Sequence, residues 1–585
     1  MKKILFALVS ISLFSCGNQE TKPETTENSG DQNSHFNKYK ENFVEALWKM
    51  YPSWASSTGY HKYDSVLTIP TSERRNAELA FAKANLDSLK TFSLEKLDDN
   101  NKTDYYMMQN SFEGTDWSLN KMKSFEWNPS NYNVCGEFAE ILNNNYDSLD
   151  TRLHNFYLKM ANIPALYEAA KQNIKNPTAE HTELAISQNL GGSSVFVNDL
   201  EEALKKSHLS AEEKEKIKTR AEGSVKAIKD YTDWLKNLKN ETPRSFRLGS
   251  ELYKEKFAHD IESGYSPEQI FDKAITHKKE LHEKMLAITK ELWPKYFKGK
   301  EMSSDNLAAI RQMIDALSVK HVKPEEFQSS IEKQIPELVE FIKKKDLIYL
   351  DPSKPLVVRK EPAYMAGLAG ASISSPGPYD KNGNTYYNVG SMNGWDKERS
   401  ESYLREYNHY ILQILNIHEA IPGHYTQLIY SNQSPSIIKS IFGNGAMVEG
   451  WAVYTELMML ENGYGNNEPE MWLMYYKWNL RSTCNTILDY SVHNKNMSKE
   501  DALNLLVNEA FQQKAEAEGK WRRVSLSQVQ LCSYFTGYTE IYDLREEIKK
   551  KMGDKFNLKA FHEKFLSCGS APVKLIRQLM LAELK

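Results

Sequence analysis

The run His418-Glu419-Ala420-Ile421-Pro422-Gly423-His424 sets a carboxylate beside one imidazole and brings in a second imidazole after a Pro-Gly pair. It is close to the H-E-x-x-H pattern, in which two histidines four residues apart share a helix face and bind zinc. Here 424 − 418 = 6, so an unbroken helix would turn the second ring away from the first. Pro422 lacks the N–H that would bond back to His418, and Gly423 has wide backbone freedom. We therefore predict a helix that breaks at this pair and returns His424 to His418.

A third metal ligand is predicted further along the chain. Glu449 follows His424 by 25 residues, and Glu456 lies seven residues later on the same helix face. One carboxylate would bind the metal and the other would orient a histidine from behind. Two histidines and one carboxylate leave a position open for water, as in catalytic zinc sites. Glu419 would then deprotonate that water and later protonate the leaving group.

This pattern resembles a known family. The 418–424 run and the segment Glu449-Gly450-Trp451-Ala452 are similar to the H-E-A-x-P-G-H and E-G-W-A motifs of the bacterial family called domain of unknown function 885. That family is grouped with the gluzincin metallopeptidases, which bind zinc through two histidines and a downstream glutamate. The resemblance implies one zinc per chain, held by His418, His424 and Glu449. It also implies a mainly α, gluzincin-like fold with a small antiparallel β-sheet flanking the metal helix.

Weaker matches to the same family extend the resemblance to roughly residues 37–585. They are Pro52, Gly59-Tyr60-His61, Tyr386-Tyr387-Asn388, Arg481, Asp489 with His493, Tyr534 with Gly537, and Leu544-Arg545. We divide this region into a helical half, 37–350, and a metal-binding catalytic half, 351–585.

Local patterns are mostly helical. Ser210 and Ser266 each open a capping box before a long charged stretch, and Ser498 starts a third helix. Apolar residues from Leu404 to His418 step by three and four, which predicts one helix face leading into the metal site. Residues 355–391 contain three short strand-like runs separated by Pro, Gly and Asn. In gluzincins the edge strand of such a sheet pairs with the substrate backbone; a surface hairpin is the alternative here.

Several side chains are candidates for catalysis or substrate binding. Tyr534 would stabilise the oxyanion, with Tyr538 as a competitor. His493 would donate to the oxyanion or pair structurally with Asp489, four residues before it. The candidates for substrate binding are Tyr387, Asn388, Arg481 and Arg545, the two arginines through a substrate carboxylate unless they brace helices.

The amino terminus predicts export and lipid attachment. Lys2 and Lys3 precede a short apolar stretch, and Leu13-Phe14-Ser15-Cys16 resembles a bacterial lipobox. We predict a signal peptide over 1–15, a lipidated Cys16, and a polar flexible tether over 16–36. The alternative is an ordinary secretory signal. The predicted location is the bacterial cell envelope, with a membrane contact made through the lipid.

Composition gives no support for a nucleic-acid partner, since the formal net charge of the 585 residues is −4. The four remaining cysteines are too widely scattered for a disulfide framework, although one disulfide stays possible in an oxidising envelope. The sequence as a whole predicts a zinc hydrolase of short peptides. The alternatives are a zinc hydrolase of another amide or ester, and a non-catalytic binding lipoprotein on the same scaffold.

Overall fold

The computed structural model describes residues 29–361, 371–380 and 383–584. The predicted signal peptide and Cys16 lie outside the described residues. Helix α1 begins at Ser29, and Phe36 on it is fully buried in the protein core. The prediction of a tether reaching residue 36 is therefore wrong at its carboxyl-terminal end, because the apolar face of α1 already packs there.

The described chain is mainly helical, as predicted. The helices before the strands are Ser29–Met50 (α1), Pro52–Ser57 (α2), Ser72–Leu89 (α3), Asp99–Trp117 (α4), Ser124–Trp127 (α5), Cys135–Asn143 (α6), Leu149–Met160 (α7), Ile163–Asn173 (α8), Ala179–Gly192 (α9), Asn198–Lys206 (α10), Ala211–Asn237 (α11), Ser250–Asp260 (α12), Pro267–Tyr296 (α13), Asn306–Ser318 (α14) and Phe327–Lys345 (α15). Ser210 and Ser266 cap α11 and α13 through complete capping boxes, which confirms both sequence signals. Among the described residues, no helix combines the length and apolar content needed to cross a bilayer.

Two hydrophobic cores organise these helices. The larger core joins residues of α1, such as Trp48, to residues beyond position 400, such as Ile411. The smaller core contains Phe138, Phe156 and Tyr231 and is built mainly by α5–α11, which we call the satellite lobe (residues 124–237). The predicted division at residue 350 therefore does not follow the packing, because the larger core crosses it.

Three strands form a small sheet at the predicted positions. They are Leu356–Lys360 (β1), Ala371–Ser374 (β2) and Thr385–Val389 (β3), in the order β1-β3-β2. β2 pairs antiparallel with β3, but β1 pairs parallel with it, so the sheet is mixed rather than antiparallel. The segment between β1 and β3 contains β2, and this long connection lets β3 run in the direction of β1. β3 is the central strand, whereas β2 lies at an edge.

The helices after the sheet build the site. They are Lys397–Glu406 (α16), His409–Glu419 (α17), His424–Asn432 (α18), Ile437–Ile441 (α19), Gly445–Glu461 (α20), Pro469–Asn494 (α21), Lys499–Asn504 (α22), Lys514–Leu526 (α23), Ser533–Met552 (α24), Leu558–Ser567 (α25) and Val573–Ala582 (α26). The single helix face predicted from Leu404 to His418 is wrong, because α16 ends at Glu406. Asn408 then caps α17 by accepting from the amides of Tyr410 (3.1 Å) and Ile411 (3.3 Å).

Candidate metal centre

The chain breaks between α17 and α18 at the predicted place. α17 ends at Glu419, the Ile421–Pro422 peptide bond is cis, and α18 begins at His424. The amide of Gly423 donates to the carbonyl of Ile417 at 3.0 Å. A Cβ atom on residue 423 would lie 1.8 Å from the carbonyl oxygen of His418, so only glycine fits this close approach.

This break brings the three predicted ligands together. The rings of His418 and His424 lie 4.8 Å apart and nearly perpendicular, at 87°. Glu449 Oε2 lies 3.8 Å from His418 Nε2 and 3.4 Å from His424 Nε2. Two atoms that share one tetrahedral zinc, each about 2.1 Å from it, are roughly 3.4 Å apart. The donor set and its spacing therefore fit a zinc ion.

Glu456 lies behind His418, as predicted. Its Oε1 is 2.7 Å from His418 Nδ1 and also accepts from the indole N–H of Trp478 at 3.0 Å. Because Nδ1–H is directed to this carboxylate, Nε2 of His418 presents its lone pair towards Glu449 and His424. Both imidazole orientation and tautomer are thus fixed by α20.

Burial and mutual charge set the protonation of the cluster. Burial, followed by the charge of His424, lowers the pKa of His418 to about 4, which keeps its ring neutral. Burial acts to raise the pKa of Glu449, but the hydrogen bond and charge of His424 outweigh it, and the pKa is lowered. Burial raises the pKa of Glu419. Burial acts to lower the pKa of His424, but the hydrogen bond and charge of Glu449 outweigh it and raise the pKa, so a metal ion would have to displace the proton of this ring. A raised carboxyl pKa, as at Glu419, suits a general base.

Trp451 connects the two sequence motifs. Its indole N–H donates to the carbonyl of Pro422 at 2.9 Å, and its side chain is fully buried. Trp451 is two residues after Glu449, so this bond ties the helix that carries the carboxylates to the turn that positions the histidines. Its role is packing and positioning.

His418 of the cluster lines a cleft of about 960 Å³, together with Glu419. Residues of the satellite lobe, including Gln188 and Gly192, line the same cleft. Ala371 of the edge strand β2 also faces it. β3, the strand nearest in sequence to the metal helix, is paired on both edges, so within this sheet only β1 and β2 have a free edge.

Tyr534 is a residue of the cleft that contains His418 and Glu419. It lines the same cleft, and its hydroxyl accepts from Arg523 Nη2 at 3.0 Å, which leaves its O–H able to donate. Burial, followed by the negative charge of Glu449, raises the pKa of Tyr534 to about 12, so the phenol stays protonated. Its competitor Tyr538 is buried and packs against Phe535 instead of lining the cleft.

His493 is placed where catalysis is excluded. Its Nε2 bonds to the carbonyl of Val524 at 3.0 Å, its ring stacks on Tyr253, and it does not line the cleft. Asp489 does not pair with it, since its Oδ1 accepts from the amide of Val529 at 3.0 Å. The catalytic prediction for His493 is wrong: burial lowers its pKa to about 4 and makes it a neutral core residue.

Three of the four substrate-binding candidates are also used internally. Arg545 is held by Glu461, with the shorter contact at 2.6 Å. The hydroxyl of Tyr387 donates to Asn416 at 2.8 Å, and the Asn388 side chain bridges Ser374 and Arg359 within the sheet. The prediction that these three residues bind substrate is contradicted, because their polar groups already form ion pairs or hydrogen bonds within the protein and do not line the cleft.

Arg481 is the candidate that reaches the cleft. It forms an ion pair of 2.5 Å with Glu516 on α23, and its Nη1 has no hydrogen-bond partner among the described residues. Glu516 and Lys520 also line the cleft, and neither was predicted from the sequence. They sit in the charged run Lys514-Ala515-Glu516-Ala517-Glu518-Gly519-Lys520, which is typical of a solvated helix and carries no signal of burial.

No described cysteine forms a disulfide. Cys135, Cys484, Cys532 and Cys568 are all buried free thiols. The one disulfide left open from the sequence is therefore not formed among these four residues.

Fold and site together define a mainly helical protein in which two histidines and a glutamate converge beside a cleft that one of the histidines lines. The chain belongs to the family described as bacterial protein of unknown function (DUF885), whose sequence pattern matches residues 52–580. None of the curated proteins matches the chain.

Two solved structures are similar to this one. One, described as "a putative lipoprotein of unknown function" from Shewanella oneidensis, is 57% identical, with a TM-score of 0.84 over 93% of this chain and 99% of that chain. The other, described as "the putative lipoprotein" from Colwellia psychrerythraea, is 18% identical, with a TM-score of 0.77 over 95% of this chain and 99% of that chain. The second likeness concerns the fold alone.

Proposed function

We propose that this protein is a zinc-dependent hydrolase that cleaves short peptides. The observation that carries the proposal is the convergence of His418 Nε2, His424 Nε2 and Glu449 Oε2, with the carboxylate of Glu419 lining the same cleft as His418. Structural zinc sites use four protein ligands and need no such base. The gluzincin-like arrangement expected from the sequence motif supports the same conclusion.

The residues divide the chemistry between them. Zinc bound by the three ligands would supply a water of lowered pKa and a Lewis acid. Glu419 takes a proton from the attacking water and returns it to the leaving amine. Tyr534 donates its O–H to the oxyanion of the tetrahedral intermediate. Glu456 holds the His418 ring so that its Nε2 keeps facing the cluster.

Two other functions use the same residues. A zinc hydrolase of a different amide or ester would need the same ligands and the same base. A non-catalytic binding lipoprotein would need the scaffold but not Glu419, and the position of that carboxylate in the cleft favours catalysis.

The proposal is tested by metal content and turnover of the purified protein without residues 1–16. About one zinc per chain is expected, with loss of the metal in His418→Ala. The matched control is His409→Ala, at the other end of the same helix, which should keep the metal. Glu419→Gln should retain zinc and lose hydrolysis of a peptide library. A metal-free wild-type protein after incubation with zinc would overturn the proposal.

We further propose that the protein is anchored to the cell envelope by lipid at Cys16. The lipobox-like sequence and the description of the Shewanella oneidensis protein as a lipoprotein support this. Cys16→Ser should move the protein from the membrane fraction to the soluble fraction and abolish incorporation of labelled palmitate. Membrane association that is unchanged in Cys16→Ser would contradict the proposal.

A further inference from the structure

Lys520 is a buried lysine at the wall of the cleft. It lies on α23 and lines the cleft, yet its side chain is only 4% exposed. Among the described residues it makes no ion pair and no hydrogen bond. Glu516, one turn earlier, is the nearest candidate on the same helix, but its carboxylate is already bound to Arg481 at 2.5 Å. A buried charge without a counter-ion is costly, so an anionic ligand that bound beside this amine would favour its charged form.

The surroundings of Lys520 make this part of the cleft positive. Arg481, Lys520, Arg522 and Arg523 line the cleft, against two carboxylates, Glu419 and Glu516. Besides burial, the positive charges of Arg481 and Arg523 act on Lys520 and lower its pKa well below the ordinary value. An anion bound here would relieve this repulsion. Arg481 Nη1, which is buried and lacks a hydrogen-bond partner, offers a second donor to the same anion.

The four cationic residues named above line the same cavity as His418 of the metal cluster. His418 and Glu419 line the same cleft as Lys520, and the negative charge of Glu449 acts on the lysine. An anionic group bound by Lys520 would therefore be part of the substrate whose scissile bond lies at the metal cluster. A peptide offers two groups of this kind, an acidic side chain and the terminal α-carboxylate, and of these the α-carboxylate is present in every peptide with a free carboxyl end.

We infer that the cleft selects peptides with a free carboxyl terminus, and that Lys520, together with Arg481, binds this carboxylate. The inference rests on the proposed function for the reaction, but the binding of the carboxylate can be measured without turnover. Lys520 is placed here as a substrate-binding residue and takes no part in proton transfer.

The first experiment compares two short peptides that differ only in a free or an amidated carboxyl terminus. Wild-type protein should cleave the free acid with a kcat/KM at least about tenfold higher than the amide. Lys520→Met keeps the length and apolar stem of the side chain, and it should lower the acid-to-amide ratio to near one. Lys520→Arg should restore most of the preference. Lys514→Met, which removes an exposed lysine from the same helix, should leave the ratio unchanged.

Equal rates for acid and amide in the wild-type protein would overturn the inference. So would a loss in Lys520→Met that is the same for both peptides, since that is the result of a merely structural lysine.

The second experiment separates this inference from the proposed function. Calorimetry with N-acetyl-alanyl-alanine and its amide measures binding to the zinc-loaded protein whether or not any peptide is cleaved. The acid should bind at least about tenfold tighter than the amide, and Lys520→Met should remove the difference. Equal dissociation constants would overturn the inference, and so would inorganic phosphate that binds more tightly than the acid. Absence of turnover alone would count against the hydrolase and not against the carboxylate site.

Discussion

Gly450 of α20 and Gly537 of α24 pack backbone against backbone. A Cβ atom on Gly450 would lie 2.3 Å from the carbonyl carbon of Gly537, and one on Gly537 would lie 1.7 Å from the carbonyl oxygen of Ala446. α20 carries Glu449 and Glu456, and α24 carries Tyr534. The close packing of these two glycines therefore fixes the distance between the metal ligands and the expected oxyanion donor.

Gly537→Ala should force α20 and α24 apart and lower the free energy of unfolding by about 1–3 kcal/mol. Urea unfolding measures this. Gly223→Ala is the matched control, because a Cβ there meets no atom within 4 Å and α11 is far along the chain from the site. That exchange should stabilise the helix by about 0.5–1 kcal/mol. Equal stability of the two variants would contradict the packing argument.

Gly423→Ala should disturb the turn that returns His424 to His418, since its Cβ would overlap the His418 carbonyl. A displacement of about 1 Å at a reacting centre costs roughly 100-fold in rate. We expect a loss of this order in kcat/KM together with weaker zinc binding, measured by turnover and metal analysis. Gly445→Ala, whose nearest neighbour would be 3.7 Å away, should behave like the wild-type protein. A fully active Gly423→Ala protein would show that the turn tolerates a side chain.

Glu456→Gln should weaken zinc binding without removing a ligand. The amide oxygen can still accept a hydrogen bond from His418 Nδ1–H. It lacks the carboxylate charge that would make the imidazole a stronger metal ligand. Loss of such a partner typically costs 10–100-fold in metal affinity. Competition with a chelator of known affinity measures this, and Glu461→Gln on the same helix is the control. Unchanged zinc affinity would exclude a role for Glu456 behind the ligand.

Tyr534→Phe should lower kcat by about 100- to 1,000-fold if its hydroxyl stabilises the oxyanion. Zinc content should stay at the wild-type value, because the tyrosine is not a ligand. Tyr538→Phe, on the same helix but outside the cleft, should retain activity. A larger loss in Tyr538→Phe than in Tyr534→Phe would reassign the oxyanion donor.

Asp489 should make stability depend on pH. Its burial raises its pKa in the folded protein from 3.8 to about 7, while the amide of Val529 and the hydroxyl of Tyr253 act in the opposite direction. The folded state therefore binds more protons than the unfolded state between about pH 4 and pH 7. The contribution of Asp489 to the free energy of unfolding is present below pH 4 and is lost as pH rises to about 7.

Asp489→Asn removes this titration. At pH 8 the variant should be more stable than the wild-type protein by roughly 2–4 kcal/mol, and near pH 4 the difference should shrink. Urea unfolding at several pH values measures it, with the exposed substitution Asp116→Asn as the control. A constant difference between Asp489→Asn and the wild-type protein across this pH range would refute the linkage.

The sequence predicted those parts of the site that depend on local geometry. The Pro-Gly pair predicted the break between His418 and His424, and the seven-residue step predicted that Glu449 and Glu456 share a helix face. Both follow from helix periodicity and from the backbone chemistry of proline and glycine. The positions of the three strands and of the two capping boxes could be predicted for the same reason.

Features that depend on long-range packing could not be predicted from the sequence. Lys520 belongs to a charged run, and only the packing of α23 beside the cleft buries it. The direction of β1 relative to β3 depends on the path of the chain between them. The four-residue spacing predicts a pair of His493 with Asp489, but Asp489 accepts a hydrogen bond from the amide of Val529, which is distant in sequence. In each case the deciding contact lies far away in sequence.

The start of α1 at Ser29 limits how far the folded body can stand from an anchor at Cys16. Twelve residues, 17–28, lie between the two positions, and a fully extended chain from one to the other spans at most about 45 Å. With lipid on Cys16, the cleft would stay in a thin layer along the bilayer surface. Encounter with substrate would then depend on diffusion into that layer, so peptides concentrated near the membrane would be processed before those dissolved in the bulk.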